Sequence, residues 1–206
     1  MALKIATLVT NINNLSDARY CAGMGVDILS FNLTENQPGY LSPTAVNEIS
    51  GWIAGVQVAG EFHESPAEEI NQLAETCNLS QVILTSSYLV DELKEIKVPV
   101  IQQLSVTKDT TEEQLVSRFE VYKDYVSAFL LTSTDFSNMD ETNIPLLKSV
   151  ASRYAVILGF GLSKENIMSV LDQVKPNGIA LKGSEEIKPG LKNFDALADI
   201  LELLED

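Results

Sequence analysis

Short apolar runs recur along this chain at intervals of roughly 25 residues, and each is followed by a stretch with helical spacing. No other feature restricts the fold as much. Consecutive strands joined by helical crossovers run parallel, and parallel strands lie either in an open doubly wound sheet or in a closed barrel. No Gly-x-Gly-x-x-Gly follows the first run, which argues against a dinucleotide-binding sheet. A regular eightfold repeat favours the closed (β/α)8 TIM barrel, for which about 200 residues is the lower size limit. The 206 residues are therefore expected to form an α/β chain with one barrel domain spanning 1–206.

The spacing predicts strands over Leu3–Val9, Val26–Leu33, Trp52–Ala59, Gln81–Leu84, Val98–Leu104, Tyr125–Leu131, Tyr154–Leu158 and Gly178–Leu181. Helices are expected from Leu15, Ser42-Pro43, Ser65-Pro66, Tyr88, Thr111, Ile144, Lys164 and Phe194. Ser42 reads as an N-cap with proline at the first helical position. Ser65 repeats that signal, with Glu68 as a capping-box partner. Glu61 to Ser65 reads as a loop.

Charge excludes several partners. The net charge is −15, from 14 basic and 29 acidic residues, which repels nucleic acid and anionic membrane. A phosphorylated ligand has to be held by local donors against that field. Cys21 and Cys77 form no Cys-x-x-Cys pair and read as buried thiols, as in a reducing cytoplasm. With one histidine, His63, and two separated cysteines, neither a zinc site nor any other cofactor is expected. No apolar run reaches membrane-spanning length, and MALKIATLV has no signal-peptide pattern.

The stretch from Val156 to Gly190 concentrates the binding signals. It holds an apolar run, a Gly159-Phe160-Gly161 turn, a helix, a second apolar run and a further glycine-bearing turn. This is the pattern of the last two strands of a barrel and the loops that hold phosphate through backbone N–H groups. Gly159, Gly161, Lys182, Gly183 and Ser184 are the candidate phosphate-binding residues. Phe160 either crowds the anion or turns outward. Lys182 either adds a cation to the site or lies in solvent at the strand end. Barrel closure by two tight turns is the plainer reading of the same residues.

Several segments in order along the chain resemble one family. Lys4-Ile5, Leu15-Ser16-Asp17-Ala18, Gly23-Met24-Gly25-Val26-Asp27 and Phe31 follow its opening pattern. Pro38-Gly39-Tyr40-Leu41-Ser42-Pro43 resembles its second loop. Gly161-Leu162, Glu165-Asn166, Pro176-Asn177-Gly178, Glu186, Pro189-Gly190 and Lys192 match its last third. The family is phosphoribosylanthranilate isomerase, small monomeric or dimeric (β/α)8 enzymes of tryptophan synthesis.

The resemblance implies an Amadori rearrangement of a phosphorylated aminoaldose, with a Cys after the first strand as base and an Asp ending the sixth strand as acid. Both are replaced. The family's Lys-Ile-Cys-Gly reads Lys4-Ile5-Ala6-Thr7, or is shifted by a longer first loop, and its Leu-Leu-Asp reads Leu130-Leu131-Thr132. A Thr hydroxyl is a poor base and a poor acid, and loss of either group lowers the rate by about 10²–10⁴-fold. Gly39, Thr85-Ser86 and Ala180 also stand where the family has functional side chains. Thr7, Thr132 and Asp135 are the positions nearest the missing groups. Asp135 could swing in as an acid and His63 could serve as a base, but Asp135 reads more readily as a solvated loop carboxylate, His63 as a surface histidine and Cys21 as core. The implied function is an isomerase, weakly active or redirected, acting on a phosphorylated small molecule as a monomer or homodimer. The alternative is a non-catalytic phosphorylated-ligand-binding or interaction protein on the same barrel.

Overall fold

The computed structural model describes residues 2–183, 186–188, 191–192 and 195–205. Eight parallel strands close into a barrel in chain order. They are β1 (Ala6–Thr10), β2 (Ile28–Asn32), β3 (Gln57–Phe62), β4 (Gln81–Leu84), β5 (Val100–Ser105), β6 (Ala128–Thr132), β7 (Val156–Leu158) and β8 (Gly178–Lys182). The crossover helices are α1 (Leu15–Gly23), α2 (Pro43–Ser50), α3 (Ala67–Thr76), α4 (Val90–Glu95), α5 (Glu112–Tyr122), α6 (Ile144–Ala151) and α7 (Ile167–Val174), and α8 (Asp195–Leu204) follows the last strand. Where a simple turn is expected after β8, a small antiparallel hairpin is found, β9 (Glu186–Lys188) with β10 (Leu191–Lys192). No described helix is long and apolar enough to cross a membrane.

The barrel has two cores because successive strand residues point to opposite faces. Outward-facing residues such as Val9, Leu29, Phe31, Phe62 and Leu84 pack beneath the helices. Inward-facing Leu8, Ala59, Ile83, Ile101, Leu130, Ile157 and Ala180 fill the barrel itself. The same alternation carries Thr10, Glu61, Gln103, Thr132 and Gly159 inward one layer higher, at the ends of their strands. Closure joins β1 to β8 in the register Ala6↔Gly178 through Thr10↔Lys182. Gly178 is required at that seam, because a Cβ there would stand 2.9 Å from the Ala6 carbonyl oxygen.

Helix starts follow their caps. Asn14 accepts the Asp17 amide at 2.9 Å, and Ser42 accepts the Ala45 amide at 3.2 Å ahead of Pro43. Thr111 and Gln114 bond each other's backbone amides reciprocally. Ser65 does not repeat the pattern. Helix α3 begins two residues later, at Ala67, with Pro66 in the cap position and no side-chain cap. The third strand also starts later than expected. Trp52 is 72 % exposed, and Gly55 turns the chain at φ 76°, so the apolar Trp52–Ala54 run belongs to a connection. The strand runs from Gln57 to Phe62 instead, which brings Glu61 out of the expected loop and into the barrel wall.

Candidate active site

At the C-terminal ends of the strands a cavity of about 450 Å³ opens into the barrel. Its floor is the apolar inner layer, Ile83, Leu130 and Ala180. Its walls come from the next inward layer and the loops above it: Thr10 ending β1 and Asn11 after it, Glu61 on β3, Gln103 and Ser105 on β5, Thr132 ending β6 with Ser133 and Thr134 after it, Gly159 after β7 and Lys182 ending β8. An apolar floor under a ring of hydroxyls and amides suits a small polyhydroxylated ligand.

Glu61 is the one carboxylic acid among the described residues lining this cavity. Its Oε1 accepts hydrogen bonds from Ser30 Oγ at 2.5 Å and from the Asn11 amide at 3.4 Å. Ser30 is fully buried on the adjacent β2. Asn11 holds a left-handed φ of 62°, a conformation that asparagine tolerates better than most residues. Burial raises the Glu61 pKa above the ordinary carboxylate value, and the bonds from Ser30 and Asn11 oppose that shift. Sequence reading missed this residue because the apolar run before it set the strand too early. The alternation Gln57-Ala59-Glu61, counted back from buried Phe62, was the signal that could have found it.

The other expected positions separate. Thr7 lies near the start of β1, buried, with its Oγ1 donating to the Ile5 carbonyl at 3.0 Å and its amide to Asp27 Oδ2 at 2.8 Å. Leu8 faces inward, so Thr7 faces the helices and cannot reach the mouth. Ala6 sits at the closure seam opposite Gly178. The pair that ends β1 at the mouth is Thr10-Asn11, with Asn11 in the backbone region a glycine would occupy. Thr10, rather than Ala6 or Thr7, is therefore the β1 residue that lines the mouth, and it carries a hydroxyl in place of a thiol. Thr132 does line the cavity. Asp135 is exposed outside it, with Oδ2 accepting the Lys108 amide at 3.0 Å. His63 turns to Thr85, with Nδ1 3.2 Å from Oγ1. Cys21 is fully buried in the outer core.

In the phosphate region, the Gly159 amide donates to the Leu131 carbonyl at 2.8 Å and the Gly183 amide to the Thr10 carbonyl at 2.7 Å. Both amides are engaged by the barrel, so these glycines shape the rim by close approach. Gly161, at φ 66°, turns beneath Asn138 and Met139, 3.2 Å from where a Cβ would stand. Phe160 is 6 % exposed and stacks on Phe136 with centroids 6.0 Å apart, so it packs into the outer core and leaves the mouth open. Lys182 is exposed and lines the cavity. Ser184 lies outside the described residues. No cluster of three potential metal ligands occurs among the described residues.

Comparison with known proteins bears on the fold and the family. Residues 9–203 match the sequence model of the family described as N-(5'-phosphoribosyl)anthranilate (PRA) isomerase. An N-(5'-phosphoribosyl)anthranilate isomerase of Pelobacter propionicus is 27 % identical, covering 98 % of this chain and 96 % of that protein. The crystal structure of phosphoribosyl anthranilate isomerase from Thermotoga maritima superposes with a TM-score of 0.82 at 22 % identity, over 96 % of this chain and 97 % of that one. A phosphoribosyl anthranilate isomerase in complex with reduced 1-(o-carboxyphenylamino)-1-deoxyribulose 5-phosphate superposes at 0.79 with 24 % identity, over the same shares.

Proposed function

The chain belongs to the N-(5'-phosphoribosyl)anthranilate isomerase family, and from that premise we propose that its barrel mouth takes up a phosphorylated aminosugar of the phosphoribosylanthranilate class and isomerises it with an altered set of groups. One observation carries this reading: the polar-walled cavity at the strand ends has Thr10 and Thr132 at the ends of β1 and β6, where the family resemblance places base and acid. The solved relative in complex with a deoxyribulose 5-phosphate derivative supports the ligand class.

The rearrangement needs a proton delivered to the ring oxygen and a proton removed from C2. Thr10 and Thr132 can orient hydroxyls of the sugar, but neither exchanges a proton readily near neutral pH. With those two groups alone the reaction is slow. Lys182 supplies a cation to the phosphate, which a chain of net charge −15 must provide locally. Such a protein works as one domain in the cytoplasm, as a monomer or homodimer, without cofactor or nucleic-acid partner. The second reading is a binding protein for phosphorylated ligands on the same barrel, favoured by the hydroxyls that replace both titrating groups.

Loss of anthranilate fluorescence from phosphoribosylanthranilate, measured with the purified protein and with a Thr10→Cys/Thr132→Asp variant, separates the two. Turnover by the natural chain supports the isomerase. Turnover only in the variant shows a binding scaffold without its acid and base, and overturns it.

A further inference from the structure

Glu61 is not explained by the two replaced positions. We propose that Glu61 is the catalytic acid and base of this cavity, giving a proton to the ring oxygen of the aminosugar and taking the C2 proton back onto the same carboxyl. This rests on the reading of the mouth as an isomerase site.

Position comes first. Glu61 belongs to the uppermost inward layer of β3 and shares the cavity wall with Thr10 and Thr132. Orientation comes second. Ser30 and the Asn11 amide both bond Oε1, which leaves Oε2 to carry a proton. Ser30 lies within β2, and the Asn11 amide is set by its left-handed turn.

Isolation comes third. Inward-facing neighbours on β1, β2 and β4 are Thr10, Ser30 and Ile83, none of which ionises. Among the described residues lining the cavity only Lys182, on β8, is also charged. His63, next along the chain but one, is engaged with Thr85. Burial with no salt-bridge partner among the described residues favours the neutral acid, which is the form needed to start the reaction. A structural role would be met as well by glutamine, without the unfavourable burial of an ionisable group.

The chemistry balances on one carboxyl. The Oε2 proton passes to the ring oxygen as the C1–O bond breaks, and the nitrogen lone pair forms the C1=N iminium. The carboxylate left behind removes the C2 proton. The C–H electrons form C1=C2, and the iminium pair returns to nitrogen. The enolamine tautomerises to the aminoketose, and Glu61 ends neutral, as it began.

The test compares wild type, Glu61→Gln and Glu61→Asp on phosphoribosylanthranilate by the fluorescence assay, with folding checked by thermal unfolding. Expected are turnover by wild type, a fall in kcat of at least about 10²-fold in Glu61→Gln with KM little changed, and partial recovery in Glu61→Asp. The wild-type rate should also fall as pH rises through the titration of the carboxyl, a dependence absent from the residual rate of Glu61→Gln. Turnover that survives in Glu61→Gln within about threefold overturns the role of Glu61 and leaves the isomerase standing. No turnover by folded wild type overturns both. If Glu61→Gln does not fold, the wild-type profile decides: a kcat that shows no decline as pH rises above the ordinary carboxylate range overturns the proposal.

Discussion

Ionising Glu61 opposes folding. Its pKa in the folded barrel lies above the ordinary value of 4.5, chiefly because burial disfavours the charged form. Between the unfolded and folded values the native state binds more protons than the unfolded chain, so stability falls as pH rises through that window. Below the unfolded value the effect is absent; above the folded value it is complete. The Tm of wild type should therefore fall relative to that of Glu61→Gln as pH is raised from 4.5 through neutrality, with the other carboxylates cancelling in the difference. Parallel pH profiles for the two proteins would show that this carboxyl is not desolvated. At the same scale, Thr7 and Thr10 show how little residue type says about place. Both are threonines on one strand, three residues apart, and the odd separation turns them to opposite faces.

Elements were legible where local chemistry decides them. Helix α2 runs Pro43–Ser50, as Ser42-Pro43 marks it, because a cap satisfies backbone donors within three residues of itself. The reciprocal Thr111–Gln114 cap of α5 gives a direct prediction: Thr111→Ala should lower stability by about 0.5–2 kcal/mol in urea unfolding, and an unchanged midpoint would count against it. Strand edges were less legible. Trp52 and Ile53 look like strand residues, yet the chain turns at Gly55, and whether an apolar residue enters the sheet depends on its partner strand. Ser65-Pro66 failed as a cap although Ser42-Pro43 succeeded, since Ser65 is buried and its hydroxyl lies 3.5 Å from the Glu69 carboxylate. The hairpin of β9 and β10 carries no alternating pattern long enough to foresee.

For the molecule as a whole, closure is the central constraint. The β1–β8 seam packs Gly178 against Ala6, and a Cβ at Gly178 would meet backbone that is fixed by the strand ladder. Gly178→Ala should cost about 1–3 kcal/mol, read as a lower urea midpoint, whereas a neutral effect would mean that the seam can open. The sequence alone determined the α/β alternation, the barrel class and the family resemblance. These follow from periodicity, glycine and proline positions and residue identity, all of which are local. Tertiary structure alone decided that Thr10 rather than Thr7 faces the mouth, that the Gly159 and Gly183 amides are engaged by neighbouring carbonyls, that Phe160 packs outward and that Glu61 stands in the wall beside Ser30. Each of these depends on strand register around a closed barrel. A shift of one residue reverses the face of every side chain, and that register is set by partners distant in sequence.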